Sequence, residues 1–302
     1  MDRLLVAGGL VVTMDPDRRV IEGGAVLVEG GRIAAVGDAA ALRAAHPAVS
    51  ELDARGKAVL PGLIDVHAHA GHTLVKTLGG GDSARWTRAV EEIYPRGATP
   101  AFWAADGALA ALERLKAGIT TGLSIFGAYG SRTDDPEHGE AHAAAYRRVG
   151  VRGVLCPGVS PPPYPNIFHR WDGDRAERIE VPLRRQMEVC EALVASQHGA
   201  GDGMTRVMLC APVAFSGRPG VTEETARQYD EVAREVRALS RHLRVGFTQD
   251  GHKGGTVRAA ASAGLLGPDA LLSHCIDLHG DEVSAIAESG TKGAHNPSAN
   301  LS

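Results

Sequence analysis

Two histidines stand one residue apart in the stretch Val59-Leu60-Pro61-Gly62-Leu63-Ile64-Asp65-Val66-His67-Ala68-His69. The aliphatic run 63–66 predicts a buried strand. On a strand, residues i and i+2 point to the same side, so His67 and His69 converge on one point. Two imidazoles placed where a strand ends can grip a divalent metal ion. A bare His-x-His is more often a surface or packing pair, so the remaining polar residues decide the matter. Gln249, Asp250, His274 and His295 each lie at or just after the end of another expected strand. Such a coincidence over four strands is hard to obtain from packing histidines alone.

These residues need a scaffold that brings strand ends together. From residue 59 onward, apolar strand-like runs alternate with helical patterns. The expected strands are 63–67, 120–126, 151–156, 206–213, 244–249, 270–274 and 291–295. Helical patterns cover 100–117, 136–149, 176–198, 223–243, 256–263 and 281–288, with Thr222 or Thr225 as a cap for the fourth. Gly118 and Gly264 fall just past two of them, where a left-handed C-cap belongs. Repeated strand–helix units predict an α/β fold, an incomplete (β/α)8 barrel of about seven strands. A doubly wound sheet is disfavoured, because no Gly-x-Gly-x-x-Gly follows the first strand. In a barrel, catalytic residues sit at the C-terminal strand ends, which is where the polar residues above fall. Residues 1–58 read differently, as short strands and turns with a hairpin over 25–36 closed by Gly30-Gly31. We expect a small N-terminal β-sandwich portion over 1–58 and a metal-dependent barrel over 59–302.

Composition narrows the partners. The chain has 302 residues, 44% apolar and 23% charged, with a net charge of −4 and 4% aromatics. With no basic block and few aromatic side chains, nucleic acid and anionic membranes are not expected partners. No run approaches the roughly 18 apolar residues of a membrane span, and the N-terminus has no signal-like apolar core. Cys156, Cys190, Cys210 and Cys275 are scattered, and we read them as reduced thiols of a cytoplasmic protein.

The stretch 59–69 resembles the first barrel strand of the amidohydrolase superfamily, in its cytosine deaminase and triazine hydrolase-like branch. The hairpin Leu27-Val28-Glu29-Gly30-Gly31-Arg32-Ile33-Ala34-Ala35-Val36-Gly37 resembles that family's N-terminal sandwich half. Gly264-Leu265-Leu266-Gly267-Pro268-Asp269-Ala270-Leu271-Leu272-Ser273-His274-Cys275 is similar to its sixth-strand segment, and Ala294-His295-Asn296-Pro297-Ser298-Ala299-Asn300 to its seventh. The likeness is collinear over essentially the whole chain. It implies a metal-activated water attacking a C–N or similar bond of a small, often cyclic molecule. His67 and His69 map onto first-strand metal ligands, and His274 onto the residue that polarises the substrate or orients the water.

The sequence departs from the family pattern in two places. The family's fifth strand usually supplies a histidine ligand and, three residues later, a catalytic glutamate, whereas this chain reads Phe247-Thr248-Gln249-Asp250-Gly251-His252. One alignment puts Phe247 and Asp250 at those positions; another puts Gln249 and His252 there. The family's eighth-strand aspartate has no counterpart before Ser302, hence the expectation of a C-terminally incomplete chain lacking the last strand and the C-terminal sandwich strands. Together these readings make His274 and Asp250 the expected catalytic residues and His67, His69 and His252 the expected metal ligands. Gln249 and His295 are expected to face the substrate. Binuclear members carry a carbamylated lysine on the fourth strand, and none of Lys57, Lys76, Lys116, Lys253 and Lys292 lies in 206–213. The resemblance therefore implies one divalent ion, zinc first and iron second, and by analogy a homo-oligomer.

The leading expectation is a hydrolase of non-peptide C–N bonds. The alternative is a degenerate, non-catalytic amidohydrolase-like protein. A phosphotriesterase-like enzyme fits less well for want of the fourth-strand lysine. Among the other residues, His72 is expected in a loop near solvent, Trp86 and Trp103 in packing roles, and His138 and His142 at the surface.

Overall fold

The computed structural model describes residues 3–126, 132–213 and 221–300. The chain end at Leu301 and Ser302, where the expectation of an incomplete barrel arose, lies outside them. The chain divides into two compact units, Met1–Leu63 and Ile64–Ser302.

The first unit holds β1 (Arg3–Val12), β2 (Val20–Glu29), β3 (Arg32–Asp38), α1 (Ala39–Ala45), β4 (Ser50–Asp53) and β5 (Ala58–Val59). They form one sheet in the order β3-β2-β1-β4, with β5 also on β1. The Gly30–Gly31 turn has both residues at positive φ, +55° and +75°, as a tight hairpin turn requires. Alternate residues of β1 and β2, namely Leu5, Ala7, Ala25 and Leu27, pack with Ala39 and Leu42 of α1.

The second unit begins at β6 (Leu63–Asp65), which crosses the division, and continues with α2 (His72–Val75), α3 (Ser83–Arg96), α4 (Pro100–Lys116), β7 (Ile119–Phe126) and α5 (Glu137–Val149). Then come β8 (Arg152–Pro157), β9 (Asn166–Asp172), β10 (Arg175–Val181), α6 (Leu183–Gln197), β11 (Thr205–Ala211), α7 (Glu223–Leu243), β12 (Gly246–Gln249), α8 (Thr256–Ser262), β13 (Ala270–Leu272), α9 (Gly280–Ser289), β14 (Lys292–Gly293) and α10 (Pro297–Asn300). Seven of the strands form one sheet in the order β14-β13-β12-β11-β8-β7-β6. From β7 to β14 every neighbouring pair is parallel. This is the expected (β/α)8-type architecture with seven strands.

The two faces of this sheet bury different partners. Val207, Leu209 and Ala211 of β11 and Phe247 of β12 pack against Cys190, Val232, Val236 and Leu239 from α6 and α7. The intervening residues Met208 and Cys210 instead join Leu123, Ile125, Val154, Cys156 and Leu271, a cluster made of strand residues alone. One set thus faces the helices and the other the inside of the curled sheet, as the two-residue strand period requires. Burying one row on each face stabilises the sheet by roughly 1.5–3 kcal/mol per large apolar side chain.

Several helix ends follow the sequence. Thr222 Oγ1 accepts the Thr225 amide at 3.1 Å and caps α7, while Gly118 and Gly264 adopt positive φ after α4 and α8. Other expectations need correction. The helical pattern expected over 176–198 begins as a strand: β10 pairs with β9 through Ile179 and Phe168, and the helix starts only after Pro182. A period-two row, Ile179 and Val181, outweighs its helical charge pattern. No helix was expected between the first strand and residue 100, where the chain forms α3, capped by Asp82 on the Arg85 amide at 3.0 Å. His138 and His142, expected at the surface, are buried on α5, and burial pushes their pKa values down to about 4 and about 3. Cys156, Cys190 and Cys210 are free and buried. Among the described residues no helix is long and apolar enough to cross a membrane.

Candidate metal centre

The backbone after β6 keeps a strand-like pairing with β7. Ile125 donates its amide to Ala68 O at 2.7 Å, and Ala70 donates to Ile125 O at 2.9 Å. This pairing fixes His67 and His69, whose ring centroids lie 5.1 Å apart. At the end of β12 the chain delivers Asp250. Its Oδ1 lies 3.0 Å from His67 Nε2 and 3.3 Å from His274 Nε2, and its Oδ2 lies 2.9 Å from His69 Nε2. Three imidazoles from two strand ends therefore surround one carboxylate from a third. Burial by itself would raise the Asp250 pKa, but the His69 charge and the three histidine contacts hold it well below the usual carboxylate range. His274 is in turn raised above the ordinary histidine value by its bond to Asp250.

The geometry suits a metal ion. Potential ligand atoms of His67, Asp250 and His274 all lie within 4.8 Å of one another. Nitrogen and oxygen ligands on a tetrahedral zinc sit about 3.3 Å apart, close to the 2.9–3.3 Å separations around Asp250. His67 supplies a further sign. Its approach to Asp250 lacks hydrogen-bond alignment, and both its ring nitrogens are buried without a hydrogen-bond partner. A buried acceptor left unpaired is costly unless something binds it. The donor set, imidazole and carboxylate, suits zinc or iron.

His274 is held from behind. Its Nδ1 lies 2.6 Å from Asn300 Oδ1. An amide oxygen can only accept, so Nδ1 carries a proton and Nε2 is the ring atom left to exchange a proton or meet a ligand beside Asp250. His274 and Cys275 both have positive φ, +66° and +49°, a conformation that L residues adopt only when their surroundings impose it.

The cluster opens into a cavity of about 700 Å³, whose walls include His72, Trp86, Lys76, Glu113 and Asn296. His72 was expected near solvent. It is half-buried instead, stacked on His69 with centroids 4.4 Å apart and the planes 15° from parallel. Trp86 stands edge-on to His72 at 4.6 Å, whereas Trp103 is fully buried in the core. Lys76 Nζ pairs with Glu113 at 2.6 Å.

Comparison with known proteins places this arrangement. The amidohydrolase family profile matches residues 58–302. The chain belongs to the amidohydrolase family. A second profile, for an imidazolonepropionase-like composite domain of bacteria, matches residues 24–48. A 5-methylthioadenosine/S-adenosylhomocysteine deaminase from Symbiobacterium thermophilum is 28% identical over 100% of this chain and 64% of its own length. One from Syntrophobacter fumaroxidans is 30% identical over 99% of this chain and 63% of its own length. Among solved structures, the zinc complex of atrazine chlorohydrolase from Arthrobacter aurescens superposes with a TM-score of 0.72 at 21% identity, covering 99% of this chain and 66% of that one. An adenosine deaminase from Xanthomonas campestris with bound zinc gives 0.71 at 21%, covering 99% and 63%. The chain thus spans about 64% of the length of the first of these relatives.

Of the residues singled out from sequence, the structure brings together His67, His69, Asp250 and His274. Three others need correction. Phe247 faces the helices, so by strand alternation Gln249 points to that same side, where its Nε2 donates to Pro212 O at 3.3 Å. Neither alignment of the fifth strand therefore puts a ligand on the inner face at 247 or 249. His252, expected as a metal ligand, lies beyond the Gly251 turn, outside the cluster of ligand atoms. Its amide is tied to Ser273 O and its Nδ1 sits 2.9 Å from Thr256 Oγ1 at the start of α8. Burial lowers its pKa to about 4. His295 is exposed, because β14 is only two residues long and the chain turns Asn296 to the cavity instead. Sequence reasoning missed Asn300 and Ser273; Ser273 was signalled only by its place directly after β13, and Asn300, on α10, by no strand end at all.

Proposed function

We propose that the chain is the core of a metal-dependent hydrolase that cleaves a non-peptide C–N bond of a small, cyclic molecule, in the manner of a deaminase. The observation that carries this reading is the convergence of His67, His69 and His274 on Asp250 at the floor of one cavity. The names of the curated relatives, deaminases of adenosine-type nucleosides, support a purine-like substrate. The zinc-bound structural neighbours support zinc over iron.

In this reading His67, His69 and Asp250 would hold one divalent ion, with His274 close enough to Asp250 and His67 to act on it. Such an ion supplies a nucleophile at neutral pH by lowering the pKa of water from ~15.7 to about 7. His274, with its Nδ1 proton committed to Asn300, offers Nε2 to orient the nucleophile and take its proton. The stacked His72 and the edge of Trp86 wall the cavity beside His69 and shape the space for a flat ring.

Metal analysis combined with ammonia release from adenosine-type nucleosides tests the proposal. About one equivalent of zinc and metal-dependent ammonia release are expected. A protein that stays metal-free after expression in zinc-supplemented medium would instead favour a non-catalytic member of the family.

A further inference from the structure

Ser273 follows β13 and is fully buried. Four consecutive residues at the end of β12 hydrogen-bond to it. Its amide donates to Gln249 O at 3.1 Å, and its carbonyl accepts the His252 amide at 3.0 Å. Its hydroxyl accepts the Gly251 amide at 3.0 Å and donates to Asp250 Oδ1 at 2.7 Å. The backbone bonds would survive any side chain at this position, but the last two belong to the hydroxyl alone. A hydroxyl has one proton to give, and the Gly251 amide approaching its lone pair leaves that proton directed at the carboxylate. An O–H donor on a carboxylate is among the stronger hydrogen bonds in proteins.

We propose that Ser273 is a positioning residue for the metal centre: its hydroxyl fixes the rotation of the Asp250 carboxylate so that Oδ1 faces His67 and His274 while Oδ2 faces His69. Without that bond the carboxylate is free to turn about χ2, a broad torsion with no strong intrinsic preference, and the three imidazoles no longer share a pre-oriented anion. The inference rests on the metal-dependent reading above and specifies which residue makes Asp250 an effective ligand.

The test is zinc affinity, measured by competition with a chromophoric chelator, together with the visible spectrum of the cobalt(II)-loaded protein. Ser273→Ala is expected to weaken zinc binding by about 10–100-fold, the range seen when a ligand loses its supporting bond, and to alter the cobalt(II) bands. Ser273→Thr keeps the hydroxyl and is expected to restore both. Ser273→Cys offers a weaker donor in nearly the same volume; it should fall between the two, and it carries the same test if the alanine variant does not fold. Unchanged zinc affinity in Ser273→Ala or Ser273→Cys overturns the proposal, as does a threonine variant as weak as alanine. Absence of zinc binding by the unsubstituted protein would sink the hydrolase reading and this inference together, whereas binding that is insensitive to residue 273 sinks this inference alone.

Discussion

Two groups of histidines in the second unit invite comparison. His67, His69 and His274 gather around Asp250 and border a cavity. His138 and His142 lie on α5, packed under the sheet, and burial holds both rings neutral. The nearest carboxylate to His142 is that of Asp106, 3.8 Å from Nδ1, but its two oxygens already accept the amides of Gly71 and Leu74. Both groups are desolvated. They differ in what they face: one a carboxylate shared by three imidazoles beside open volume, the other closed packing whose carboxylates are already engaged, Asp106 by two amides and Asp134 by Arg132. Histidine burial alone therefore says little about chemistry, and a shared anion with room beside it says much.

Four experiments break or sharpen this contrast. The largest effect is expected at the first group: His67→Ala should lower both zinc content and turnover to the level of the metal-free protein. Its unfolding midpoint in chelator should stay close to that of the unsubstituted chain. A variant that kept its zinc would dissolve the distinction. Next comes acid stability. A histidine held neutral in the fold but free to protonate when unfolded destabilises as pH falls from its unfolded value, about 6.5, toward its folded value. With folded values of about 4 and about 3, His138 and His142 should each remove about 2 kcal/mol between pH 7 and pH 5. Urea titrations at the two pH values measure it, and His142→Gln should flatten its share of the slope.

Asn300→Ala should reduce turnover by about 10–100-fold through loss of the His274 tautomer, with kcat affected more than KM. An equal loss in His274→Ala and in the double variant would show that Asn300 acts through that ring alone. The smallest change is a control: Thr222→Ala removes the α7 cap and should lower stability by about 1 kcal/mol. It should leave zinc affinity and the pH slope untouched.

Much of the scaffold was legible because two-residue and helical periods are printed in the sequence. The alternation of Val207, Leu209 and Ala211 against Met208 and Cys210 is an example. His67 and His69 were legible for the same reason, since their spacing fixes a shared side once a strand ends there. The fifth strand was not. Whether residue 249 or 250 faces inward depends on which way Phe247 points, and that is set by its packing against α6 and α7. Hairpin β9–β10 was hidden because its charged residues mimic a helix face. His138 and His142 were hidden because polar neighbours in sequence conceal a helix that is covered on one side.

The left-handed backbone at His274 and Cys275 has a consequence for how this chain can change. Each such residue holds about 1–3 kcal/mol of conformational energy that the surrounding sheet must supply. Glycine would relax the chain at residue 274, yet it would remove the imidazole on which the proposed chemistry depends. Selection for robustness and selection for turnover therefore pull in opposite directions at this one position, and a drift toward sturdier descendants would be expected to surrender catalysis there first.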